Sequence, residues 1–255
     1  MPHRLLCVTA HPDDESGAFG GALLLAHQAG AETSVLCFTD GQAGHFRGDA
    51  APGDDLGRVR RAEMDAACKV LGVTRWEVLT FPDGELVQQS FQELAEVVVE
   101  YLRSWRPQVV LTFGGDGGVN LHRDHTMISA VTTAAFHWAG RAEMFPSHLD
   151  TGLRPWGPQK LYFASTPFVS VRDRPELTES AATVPWSLTL ELGALSERKL
   201  EAFGKHHTQQ GVLRRVGEQV MQAMRVERYL LAAKRGQTSV TDDNEMFAGV
   251  VDDEE

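Results

Sequence analysis

Ala10-His11-Pro12-Asp13-Asp14-Glu15 follows directly on an apolar run, Leu5 to Val8. An imidazole and three carboxylates crowd together where a strand should end. Anions packed this closely repel one another, and a cation relieves the repulsion. Carboxylate oxygens with an imidazole nitrogen suit zinc or a similar first-row divalent ion. Pro12 fixes its own φ and biases His11 toward extended backbone, so the turn is stiff. Asp13 and Asp14 then point different ways: one can hold metal while the other faces substrate. A second cluster, His122-Arg123-Asp124-His125, sets two imidazoles three positions apart at a helix start. At that spacing both can turn toward one centre. His11, Asp14 and one of this pair make three protein ligands, which with a water is the open arrangement of a catalytic zinc site. The other histidine remains for substrate.

These groups need elements to carry them. Apolar runs at 4–9, 33–39, 76–79 and 109–113 read as strands. Helical spacing of apolar residues covers 16–29, 58–71, 89–103 and 125–138. The alternation predicts an α/β fold, a mostly parallel sheet with helices on both faces. Ligands bind such sheets beyond the carboxyl ends of the strands. His11, Asp13 and Asp14 follow the first strand, Thr39-Asp40-Gly41 the second, Asp83 the third, and His122, Asp124 and His125 the fourth. Four loops thus deliver polar groups to one rim. Beyond Gly140, prolines punctuate a short β/loop extension with strand-like runs at 160–164, 168–171 and 187–190. Helices are expected again at 196–205 and 212–233.

The 255 residues suffice for one domain, expected over 1–237, with an acidic, fraying tail at 238–255. The formal charge of -11 argues against a nucleic-acid partner. No run approaches the ~18 apolar residues of a membrane span, and no cleavable leader is expected. The expectation is a cytoplasmic protein whose oligomeric state, a homo-oligomer included, stays open. Cys7, Cys37 and Cys68 read as small buried hydrophobes. Glu15 reads as a complement to the positive end of the first helix. Asp124 can N-cap the helix that follows it and orient a histidine. Trp156, Phe168 and Trp186 fit a pocket, a subunit contact or ordinary packing.

The two clusters together resemble the PIG-L or LmbE-like family of zinc-dependent N-acetylglucosaminyl-deacetylases. Supporting matches are Thr39-Asp40-Gly41 with Gly44, Arg60-x-x-Glu63 before Leu71-Gly72-Val73, Pro82-Asp83-Gly84, and His206-x-Thr208-Gln209 after Lys199. They run in the family's order through most of 5–210. The resemblance implies a Rossmann-like fold in which His11, Asp14 and His125 bind zinc. It implies Asp13 as general base and His122 as the acid or the group that polarises the carbonyl. It places Arg60, Asp83 and His206 at the substrate. Two residues depart from the family: Arg123 replaces the usual proline, and Asn120 stands where some sugar deacetylases carry tyrosine. Asn120 offers a hydrogen bond to substrate instead.

The expected reaction is removal of acetyl from an N-acetylglucosamine-type sugar or conjugate. Two rivals are Mg-dependent phosphoryl hydrolysis and non-catalytic carbohydrate binding. Histidine-rich ligation argues against the first, because magnesium prefers oxygen. The presence of both an acid and a base argues against the second.

Overall fold

The structure is a computed structural model and describes residues 2–48, 50–51, 53, 55–117, 122–164, 186–211, 224–236 and 245–251. Strands β1 (Arg4–Thr9), β2 (Glu32–Cys37), β3 (Arg75–Val78), β4 (Val109–Phe113), β5 (Lys160–Ala164), β6 (Leu188–Glu191) and β7 (Val226–Lys234) form one sheet. Their order is β3-β2-β1-β4-β5-β7-β6. The first five are parallel to one another, and β7 pairs antiparallel with both β5 and β6. The helices are α1 (Asp14–Gly17), α2 (Gly20–Gln28), α3 (Leu56–Leu71), α4 (Phe91–Trp105), α5 (Arg123–Trp138), α6 (Ser147–Asp150) and α7 (Leu195–Gly204). Helices α2, α3 and α7 pack together, and α4 packs on α5.

Central strands β1 and β4 are apolar on both faces and almost wholly buried, as parallel strands between helices must be. The helices begin and end where the sequence supplies caps. The Asp55 side chain accepts from Arg58 N to start α3, and Gly72 ends that helix at φ 73°, a left-handed conformation suited to glycine. Ser90 accepts from Glu93 N to start α4.

Two expectations are corrected. The single helix expected over 16–29 is two, because Ala18 and Phe19 break the run. Glycine at 17, 20 and 21 weakens a continuous helix, and Phe19 turns inward against Phe113, with ring centroids 5.2 Å apart. The helix expected over 212–233 is instead strand β7 from Val226 onward, the stretch 212–223 lying outside the described residues. Leucine, alanine, glutamate and arginine favour helix. Tertiary pairing overrides that preference: Glu227 and Tyr229 share the buried face, and both neighbours of β7 bond to it. The run expected at 168–171 lies outside the described residues. Within the expected tail, residues 245–251 fold back: Phe247 stacks on His3 at 4.9 Å and Val251 N donates to Gln159. Trp156 is core, its Nε1 donating to Pro107 O. Among the described residues no helix is long and apolar enough to cross a membrane.

Candidate metal centre

The strand order reverses between β1 and β4. An open α/β sheet leaves its ligand crevice at such a switch point, and the two histidine clusters emerge there. Thr39 Oγ1 donates to Ala10 O at 2.9 Å, tying the end of β2 to the turn after β1. His11, Asp14 and His125 are all buried, with 8%, 9% and 3% exposure.

Their donor atoms converge. His125 Nε2 lies 3.2 Å from Asp14 Oδ1 and 3.3 Å from His11 Nδ1. His11 Nδ1 lies 3.6 Å from Asp14 Oδ2. A tetrahedral zinc with bonds of about 2.0–2.1 Å sets its ligand atoms about 3.3 Å apart. The far side of each ligand is also fixed. His125 Nδ1 is 2.9 Å from Gly117 O, which only N–H can satisfy, so Nε2 keeps its lone pair. The ring stacks flat on Phe113 at 3.9 Å. His11 Nε2 faces Asp83 Oδ1 at 3.1 Å and Asp124 Oδ2 at 3.3 Å, so Nδ1 is the nitrogen left to face a cation. Asp14 Oδ2 accepts from Ala10 N and His11 N, leaving Oδ1 turned to His125. These residues therefore fit a divalent cation. Nitrogens of His11, His122 and His125 also lie within 4.8 Å of one another, as do donors of His11, Asp83 and Asp124. His122 Nδ1, however, accepts from Asp124 N, and the two carboxylates share the N–H of His11.

Burial favours the neutral carboxyl at Asp14, yet His125 and His11 hold it well below the usual carboxylate range. Burial opposes charge on His11, and Asp124, Asp14 and Asp83 outweigh it and hold the imidazole protonated well above its ordinary range. Such a proton leaves when metal binds.

Around this core the structure sorts the remaining residues. Asp13 is partly buried, with φ 126°, and burial raises its carboxyl from 3.8 to about 6 against the pull of Arg60. His122 N-caps α5 through its ring nitrogen, and burial, reinforced by His11 and His125, holds it below the usual 6.5. A neutral His122 with Nδ1 as acceptor carries its proton on Nε2. Asp124 is fully buried and accepts from Gly84 N at 2.7 Å and Leu86 N at 3.2 Å, fastening the 83–86 turn to α5. Asp83 accepts from Ala43 N with its other oxygen.

Two residues expected at the substrate are differently employed. Arg60 is 4% exposed and donates to Pro12 O and Gly41 O, with Asp13 Oδ2 at 3.6 Å, so it braces the turn. Gly41, at φ 67°, leaves the room that its guanidinium fills. His206 is fully buried and lies 2.6 Å from Glu15. Asn120 lies outside the described residues. Sequence reasoning missed Glu15 as more than a helix-end charge, and missed Glu63, which accepts from both N and Oγ1 of Thr208. The spacing Arg60-x-x-Glu63, one helix turn apart, was the available signal.

Fold and site define a class: an α/β protein with a histidine–carboxylate centre at its switch point. A family model described as PIG-L, GlcNAc-PI de-N-acetylase, matches residues 6–136, and the chain belongs to this family. It is 30% identical over 243 residues to the 1D-myo-inositol 2-acetamido-2-deoxy-alpha-D-glucopyranoside deacetylase of Rhodococcus jostii, covering 81% of each chain. The enzyme of the same name from Rhodococcus erythropolis is 34% identical over 185 residues, 64% of this chain and 61% of that one. The N,N'-diacetylchitobiose deacetylase of Pyrococcus horikoshii shares the fold, with TM-score 0.74, 20% identity and coverage of 89% of this chain and 83% of that one.

Proposed function

We propose that the protein is a zinc-dependent N-deacetylase that releases acetate from an N-acetylglucosamine-type sugar or conjugate. The observation that carries it is the gathering of His11 Nδ1, the Asp14 carboxylate and His125 Nε2, with contacts of 3.2–3.6 Å among them and each group fixed from behind. The names of the Rhodococcus relatives point to the substrate class.

His11, Asp14 and His125 would hold the ion. When bound, it supplies an acidified water and a Lewis acid. Asp13, which makes no bond to the amides of α1, would accept a proton from the attacking water. His122 offers Nε2–H to the carbonyl oxygen as negative charge develops there. The proton held by Asp13 passes to the leaving amine. Asp83 and Asp124 keep His11 in its ligating tautomer.

Acetate release from a panel of N-acetylglucosamine conjugates, before and after chelation and zinc restoration, tests this. We expect activity lost with the metal and regained with it, and lower zinc stoichiometry in His11→Ala and Asp14→Ala. A zinc-replete protein that hydrolyses phosphate esters, or binds the sugars without releasing acetate, refutes it.

A further inference from the structure

Asp13 is not a glycine, yet its backbone sits at φ 126° and ψ -25°, a conformation that L side chains rarely adopt. It is also the N-cap residue of α1. An aspartate there ordinarily turns its carboxylate onto the first amides of the helix, but Asp13 makes no such bond. Glu15 reaches back instead, its Oε2 accepting from Asp13 N at 2.9 Å. The Asp13 carboxylate is left without a bond to the amides of α1. Glu15 Oε1 accepts from Ser16 Oγ at 2.6 Å and lies 2.6 Å from His206 Nε2. Both members of this pair are 0% exposed.

His206 has a fixed seat of its own. Its amide donates to Phe203 O at the end of α7, and two residues on, Thr208 is clamped by Glu63 from α3. Among the described residues its Nδ1 has no partner, so Glu15 is the polar contact the ring makes. From the other side, Arg60 grips Pro12 O and flanks the Asp13 carboxylate. The strained turn is thus held between α3 on one side and a buried pair, drawn from chain positions 191 apart, on the other.

We infer that Glu15 and His206 are positioning residues: by binding the Asp13 amide, their buried pair holds the left-handed turn that frees the Asp13 carboxylate for its work as base. The inference takes that work from the deacetylase reading; the pairing itself stands on geometry.

Two double-mutant cycles test it. In zinc-loaded protein, Glu15→Gln lowers kcat by roughly tenfold or more, with KM within about twofold and zinc stoichiometry unchanged, since an interaction felt only in the transition state moves kcat. In an Asp13→Ala background the same change adds less than about twofold, because the group it positions is gone. Equal losses in the two backgrounds overturn the inference, as does a fall in zinc content that accounts for the lost rate. The second cycle needs no activity. Glu15→Gln lowers the thermal midpoint less in an Asp13→Gly background, where no strained residue remains to be held. An equal drop in both overturns the inference. His206→Gln repeats both cycles should Glu15→Gln fail to fold. Wild-type protein that releases no acetate defeats the deacetylase reading alone, and the thermal cycle still decides the pairing.

Discussion

Asp124→Asn probes whether His11 is kept ready for metal from behind. The carboxylate is fully buried; its Oδ2 faces Gly84 N and His11 Nε2 and its Oδ1 faces Leu86 N. Asparagine has the same shape but presents one NH2. Turned toward Oδ2, that group would meet two donors; turned toward Oδ1, it meets one. The second rotamer therefore wins, at a stability cost of about 1–3 kcal/mol for one buried donor left unsatisfied. His11 then faces an amide oxygen in place of a charge, while Asp83 remains 3.1 Å from its Nε2. Loss of a partner behind a ligand lowers metal affinity by roughly 10–100-fold. With Asp83 still in place, the single variant should fall near the lower figure, about 1.4 kcal/mol. Asp83→Asn with Asp124→Asn removes both carboxylates and should approach the upper one. Competition between the purified protein and a chelator of known zinc affinity measures both. Unchanged affinity in the double variant would refute the argument that these carboxylates set the His11 tautomer.

Three further outcomes are expected. Asp13→Ala keeps zinc by elemental analysis but loses about 10²–10⁴-fold in kcat, the usual worth of a general base; near-normal turnover rejects the assignment. Arg103, 2% exposed, donates to the carbonyls of Ala139, Arg141, Met144 and Phe145. Arg103→Ala strands them and should lower stability by roughly 3 kcal/mol in urea unfolding, with zinc affinity untouched. Burial lowers the His206 pKa, but Glu15 foremost, with Asp13 and Glu63, raises it above 6.5 overall. A raised pKa in the folded state means stability that is full below 6.5 and lost as pH climbs through the folded value. The urea midpoint should therefore decline on the alkaline side, and His206→Gln should flatten that decline; an identical pH profile in the variant would count against the ion pair.

The sequence announced strands β1 to β4 and the helices between them because periodicity and caps agree there. In β1 every residue from Leu5 to Thr9 is buried, and in α4 the buried Leu94, Val98 and Leu102 keep helical spacing. Strand β7 was hidden because its composition favours helix and its pairing comes from β5 and β6, distant in sequence. The clustering of His11, Asp14 and His125 was legible because histidine and aspartate have few reasons to gather after adjacent strands. The employment of His206 and Arg60 was not legible. A motif gives a residue's place in the chain, whereas burial and partners depend on the approach of α3 and α7 to the first turn.

That approach also explains how the labour is divided at the centre. Groups that would touch the ion come from the turn and helix that follow β1 and from the start of α5, and β1 pairs directly with β4, the strand that precedes α5. His125 is seated by its stack on Phe113 at the end of β4 and by its contact with Gly117 O. Asp13 has no such guarantee: it sits at positive φ, and an unsupported chain would relax toward an ordinary turn. Its support must come from outside the sheet, and Arg60, Glu15 and His206 supply it. Damage to the sheet should therefore cost metal, whereas damage to the packing of α3 or α7 should cost rate while metal stays. Glu63→Gln, in α3 and away from every proposed ligand, falls in the second group. It loosens Thr208 and with it His206, so it should lower kcat several-fold at full zinc occupancy. Loss of zinc from that variant, with kcat per bound zinc unchanged, would show that the two functions are not separately supported.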